Sequence, residues 1–218
     1  MQLKDKKLNF LGDSITEGVG TSAPEKRYVD IIAAKTGALC RNYGISGTRI
    51  ARQQRPTTDN PRFDLDFCMR AEEMDPDADA VVVFGGTNDF GHGDAPFGTL
   101  TDRTRDTFCG AMHVLCQTLL TRYPHSEIAF ILPLHRHNED DPCGDNKPAP
   151  VGVLRDYVDA MRQILEYYSI PALDLYAAGG MQPAVPAVRA VYMPDGLHPS
   201  DEGNALIAER LIGFLQAL

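Results

Sequence analysis

Five short apolar runs, near Leu8–Leu11, Ala38–Tyr43, Ala80–Phe84, Ile128–Pro133 and Ile170–Leu173, alternate with stretches whose apolar residues recur every three or four positions. The clearest of those stretches are Phe108/Met112/Leu115/Leu119, Leu154/Val158/Met161/Leu165/Tyr168 and Ala208/Leu211/Ile212/Leu215. Runs this short read as buried strands, and the amphipathic stretches between them supply the covering layers. The alternation predicts an α/β fold, a parallel sheet with helices on both sides. No internal repeat and no linker interrupts the 218 residues, so a single domain over 1–218 is expected.

In a sheet of this kind the ligand crevice lies beyond the carboxyl ends of the strands. The segments leaving those ends are therefore where chemistry is sought. Gly12-Asp13-Ser14-Ile15-Thr16-Glu17-Gly18 comes after the first run, Gly44-Ile45-Ser46-Gly47-Thr48 after the second, and Gly85-Gly86-Thr87-Asn88-Asp89 after the third; Asp195-Gly196-Leu197-His198-Pro199 precedes the last helix. Ser14 at a strand-to-helix turn is placed as a nucleophile, although Ser14 and Glu17 also have the spacing of a capping box. A serine needs a base, and the base needs a carboxylate to fix its tautomer. Asp195 and His198, three residues apart, can supply both, or can be a turn residue and a surface residue. Acyl transfer further needs donors aimed at a developing oxyanion. The Ser14 N–H, the Gly47 N–H and the Asn88 side-chain amide are available, against an Asx turn at Asn88 and a plain tight turn at Gly47.

Composition removes other classes. With 21 basic and 30 acidic residues the net charge is −9, which repels a nucleic-acid backbone. No run approaches the roughly 20 apolar residues of a membrane span, so no membrane insertion is expected. The opening MQLKDKKLNFLG lacks the apolar middle of a signal peptide, so a cytoplasmic location is expected. Cysteines 40, 68, 109, 116 and 143 show no short-spaced metal pair and are expected as reduced thiols. Two long loops border the same rim. The first, 49–63, offers Arg49 and Arg52 as candidate substrate contacts. The second, 134–151, offers His135, and its His135, His137 and Asp140 match no strong zinc spacing, so neither metal nor cofactor is expected. The Gly- and Pro-broken apolar segment Tyr176–Met193 is either loop packing against the core, a lining for an acyl group, or a contact in a homo-oligomer.

The blocks FLGDSITEG, NYGISGTRI, VVVFGGTNDF and DGLHPSDEG, in that order over positions 10 to 203, resemble the SGNH hydrolases, also called GDSL esterases/lipases. Carried over residue by residue, the resemblance implies Ser14 as nucleophile, His198 as base oriented by Asp195, and Gly47 and Asn88 joining the Ser14 amide in an oxyanion hole. It also implies a flavodoxin-like three-layer α/β/α fold with five parallel strands in the order 2-1-3-4-5. Ile15 stands where the family has leucine, a swap of similar volume. The expected activity is that of a serine esterase on a small-molecule ester, with an O-acetylated sugar as candidate. The alternatives are a lysophospholipase- or thioesterase-type lipid acylhydrolase and, from another class, a flavodoxin-like phosphate- or mononucleotide-binding module. Asp13 and Glu17 beside the helix terminus argue against a bound phosphate.

Overall fold

The computed structural model describes residues 1–57 and 60–218; Thr58 and Asp59, within the first long loop, lie outside the described residues. The strands are β1 (Lys7–Gly12), β2 (Leu39–Gly44), β3 (Ala80–Phe84), β4 (Glu127–Ile131) and β5 (Ala172–Leu173). They pair in parallel in the order β2-β1-β3-β4-β5, the SGNH hydrolase arrangement. Two ends differ by two residues from the sequence reading, the others by at most one. β4 ends at Ile131 because Pro133 has no N–H to continue a ladder, and Leu132 donates the last bond to Leu173 O at 3.0 Å. β5 starts two residues late, because Ile170 N–H is still closing the preceding helix on Leu165 O.

Alternate residues of each strand feed two cores. Val81 and Val83 of β3, with Ile128 and Phe130 of β4, pack against α3 (Phe67–Glu73), α5 (Phe108–Arg122) and α6 (Leu154–Tyr167). Ala80, Val82 and Phe84, with Leu8, Phe10 and Ile131, pack on the other face against α2 (Tyr28–Thr36) and α9 (Asp201–Ala217). Both faces being covered explains why β3 and β4 read as unbroken apolar runs, whereas β2, expected to be buried, is an edge strand with no buried residue and Leu39 exposed. The expected stripes are the buried ones: Phe108, Met112, Leu115 and Leu119 on α5, and Leu211 and Leu215 on α9. Caps set the helix starts, with Asp66 accepting from Met69 N–H, Thr107 from Gly110 N–H and Ser200 from Gly203 N–H.

Register then builds the site's platform. Gly12 pairs with Gly44 and Phe84, Phe84 with Ile131, and Ile131 with Leu173, so the strands end at one level. The segments that leave those ends share one rim, which also carries α1 (Ser14–Glu17) and α4 (Thr87–Gly91). The segment 176–193 forms α7 (Leu175–Ala178) and α8 (Pro186–Tyr192), and its Met181 and Met193 are buried in the α2/α9 core. Those two residues fit the first of the segment's three readings, whereas α8 has no buried residue and Val185 and Val191 are exposed. All five cysteines are free thiols, and no helix among the described residues is long and apolar enough to cross a membrane.

Candidate active site

Ser14 is the first residue of α1, and the cap belongs to its neighbour. Asp13 Oδ1 accepts the Ile15 N–H at 3.0 Å, while Glu17 turns away to Ser46, accepting its N–H at 2.6 Å and its hydroxyl. The capping box is thus unformed, and Ser14 Oγ is left for another partner. That partner is His198, whose Nε2 lies 3.0 Å away. His198 Nδ1 lies 2.7 Å from Asp195 Oδ2. A carboxylate only accepts, so Nδ1 carries the ring proton and the Nε2 lone pair faces the serine hydroxyl. Asp195 Oδ1 meanwhile accepts the N–H groups of Leu197 and His198 at 2.8 and 2.7 Å. Asp195 thus holds the turn with one oxygen and contacts the His198 ring with the other. Burial pulls this carboxyl's pKa up, but the hydrogen bonds from His198 and Leu197 outweigh it and hold it below the usual carboxylate value. Gly196 makes the turn at φ +83°, where an added Cβ would meet His137 Cβ at 2.7 Å. His137 N–H donates to Gly196 O at 2.8 Å, so the second long loop braces the Asp195–His198 turn.

Opposite Ser14 stand the other two blocks. Gly47 sits at φ +75°, and a Cβ there would lie 2.6 Å from the Phe63 ring, so the position admits only glycine without rearrangement. Among the described residues, neither the Ser14 nor the Gly47 N–H has a protein acceptor. Asn88, on α4, donates one Nδ2 hydrogen to Thr48 O at 3.0 Å and keeps the other free. No Asx turn forms there. The result is three unspent donors in the segments bordering the Ser14 hydroxyl.

Charged groups that sequence reasoning left without a role hold this frame. Arg70 of α3 is buried and donates to Thr48 Oγ1 at 2.8 Å, to Gly12 O at 3.0 Å and to Tyr43 O, tying the ends of β1 and β2 together. Burial brings its pKa down to about 10. Asp89 accepts the N–H groups of Ile50 and Ala51, both at 2.9 Å, which pins the loop beyond Gly47. Arg136, also buried, donates to Thr87 O at 3.1 Å and pairs with Asp145. The available signal was charge at positions whose neighbours are apolar, as in FCMRA and NDF.

The three candidate substrate contacts fare differently. Arg49 is 5% exposed and spent internally, donating to Phe63 O at 2.7 Å and to His92 Nδ1 at 2.9 Å. Arg52 is on the surface, paired with Asp106. His135 stacks on Tyr176, with ring centroids 4.1 Å apart, and its Nδ1 is bonded to Glu139. Among the described residues no three His, Cys, Asp or Glu side chains gather as a metal site.

Asp13 carries a consequence for stability. Its Oδ2 is buried without a partner among the described residues, and burial, opposed by the Ile15 N–H and Arg70 and reinforced by Asp89, raises its pKa to about 7. The folded chain therefore keeps a proton that the unfolded chain releases near pH 4, and stability from this group is lost as pH rises through about 7. Asp13→Asn, which keeps an oxygen for Ile15, is expected to gain on wild type by about 3 kcal/mol between pH 5 and pH 8. Urea unfolding at the two pH values measures it; equal pH slopes for the two proteins would contradict the assignment.

Residues 10–206 match the GDSL-like lipase/acylhydrolase family. A crystal structure of a protein from Lactobacillus plantarum is 33% identical, covers 98% of each chain and superposes with a TM-score of 0.84. A GDSL-like lipase from Bacteroides ovatus (20% identity, 98% of this chain and 99% of that one, TM-score 0.70) shares the fold. So does Est24, a carbohydrate acetylesterase from Sinorhizobium meliloti (17% identity, 97% and 99%, TM-score 0.69). A search of curated proteins finds no match. Fold, site and match together place the chain in the GDSL-like lipase/acylhydrolase family. It is a hydrolase acting on ester bonds.

Proposed function

We propose that the protein is a serine esterase working through an acyl-enzyme. The observation that carries the proposal is the unbroken chain Ser14 Oγ, His198, Asp195 at 3.0 and 2.7 Å, with unspent N–H donors in the segments that leave the paired strand ends. Ser14 Oγ attacks the ester carbonyl carbon as His198 Nε2 takes its proton. Asp195 stabilises the imidazolium without taking the proton itself. The tetrahedral oxyanion is received by the Ser14 and Gly47 N–H groups and the free Asn88 Nδ2 hydrogen. His198 then protonates the leaving alcohol, and the same base activates water to hydrolyse the acyl-enzyme.

The substrate reading is a short acyl group, acetyl first, on a polar alcohol such as a sugar. Its support is that the one apolar candidate for an acyl trough, 176–193, spends Met181 and Met193 on the core. A cleft of about 390 Å³ beside His92 mixes Gln54, Arg55, Asp145 and Lys147 with Ala95, Pro96, Pro148, Ala149 and Val151. Without a trough the gain of about 0.8 kcal/mol per buried methylene is missing, so kcat/KM is expected to fall beyond about four acyl carbons. A series of aryl esters from acetyl to dodecanoyl tests this; a steady climb to octanoyl would favour the lipid-acylhydrolase alternative. A shared acetylated-sugar preference with Est24 is compatible with this reading at the level of fold.

A further inference from the structure

His92 lies one helical turn beyond Asn88, at the C-terminal end of α4. Its two ring nitrogens have different partners. Nδ1 is 2.9 Å from Arg49 Nη2 and Nε2 is 3.2 Å from Asn88 Oδ1. A guanidinium has hydrogens and no acceptor, so Nδ1 must be the bare nitrogen and Nε2 must carry the proton. The Nε2–H then points at Asn88, which fixes Oδ1 as the oxygen of that amide. Thr48 O requires the same orientation from the other end, because it accepts from Nδ2.

From this we infer that His92 is a positioning residue of the oxyanion hole, with Arg49 setting its tautomer. An asparagine amide can turn over about its last torsion, and turned over it would present an acceptor to the oxyanion. The Arg49–His92–Asn88 chain prevents this and leaves one Nδ2 hydrogen aimed outward. The bond also draws electron density onto Oδ1, which strengthens the remaining N–H as a donor. Burial, then the Arg49 cation, bring the His92 pKa down to about 4; Arg136 and Lys147 act in the same sense and Asp145 against them. The neutral ring needed for the relay is thereby kept at neutral pH. Arg49 itself is anchored on Phe63 O, from the same residue whose ring packs over Gly47, so two parts of the oxyanion hole share one support.

The inference rests on the esterase reading, and two measurements separate their failures. The first is independent of activity. Nitrogen-15 NMR of histidine-labelled protein at pH 7 is expected to show His92 as the neutral Nε2–H tautomer; an Nδ1–H tautomer or an imidazolium would overturn the inference whatever the protein hydrolyses. The second is a kinetic cycle on an aryl acetate. His92→Phe, which keeps a buried ring without the hydrogen bonds, is expected to lower kcat roughly tenfold with KM within about twofold. His92→Gln, which can accept from Arg49 and donate to Asn88, should recover most of the loss. In an Asn88→Ala background His92→Phe should cost nothing further, because the residue it acts through is gone. A full additional tenfold loss in that background, or an unchanged kcat in the single variant, would overturn the inference. Should the phenylalanine ring impair folding, seen as a lost thermal transition, His92→Ala takes its place in the same cycle. An unchanged kcat in Asn88→Ala alone would also overturn the inference, since His92 acts through Asn88, while an unchanged kcat in Ser14→Ala would count against the esterase reading.

Discussion

Ser14→Ala is expected to lower kcat on an aryl acetate by roughly 10⁴-fold or more, with the thermal transition nearly unmoved. The size comes from the removal of the only atom that forms the acyl bond, which leaves water to attack under the influence of the oxyanion donors alone. The small stability effect comes from the local structure. The Ser14 hydroxyl caps nothing, since Asp13 caps α1, and its one partner among the described residues is the His198 ring. His198→Ala is expected to lose nearly as much. Asp195→Asn should lose comparably by presenting the wrong tautomer, and because Asp195 also accepts two backbone N–H groups, the amide keeps the turn largely in place. A Ser14→Ala rate equal to wild type in steady-state assays would place the nucleophile elsewhere.

Asn88→Ala is expected to lower kcat by about 10²–10³ while leaving KM within a few-fold, because its amide meets negative charge that exists mainly in the transition state. The free Nδ2 hydrogen is the relevant group, and the other is spent on Thr48 O. Asn88→Asp should be no better than alanine, as it replaces the donor with an acceptor. Michaelis–Menten curves for the two variants check this. A change confined to KM would make Asn88 a ground-state binder.

The fold was legible because its determinants are local or periodic. Strands covered on both faces need continuous apolar runs, helices need stripes, and both patterns survive in the one-dimensional sequence. The rim was legible for a related reason, since parallel strands of matched register send their exits to one side, and Ser14, Gly47 and Asn88 each lie just past such an exit. Asp195 and His198 were legible as a pair because one turn joins them. The sequence concealed the long-range polar contacts made by individual side chains. Arg70 stands out as a charge among apolar neighbours in FCMRA, but nothing in that segment says that its guanidinium reaches Gly12 and Thr48. Arg49 reads as a cation facing substrate until burial turns it to His92 and Phe63. The Ser14/Glu17 spacing fits a capping box equally well, and only the approach of Ser46 to Glu17 decides against it. In each case the deciding partner is far away in sequence, and no local pattern encodes it.

The central claim, that Ser14 is the acyl-bearing nucleophile, is tested most directly by covalent labelling. A fluorophosphonate reacts with a serine activated by a neighbouring base, and cleavage after Lys7 and Lys26 releases a peptide whose serines are Ser14 and Ser22. Fragmentation mass spectrometry is expected to find the phosphonyl group on Ser14, at one group per chain, with labelling and ester hydrolysis lost in parallel in His198→Ala. A label on Ser22 or outside this peptide, or hydrolysis that persists in chains fully labelled at Ser14, would contradict it.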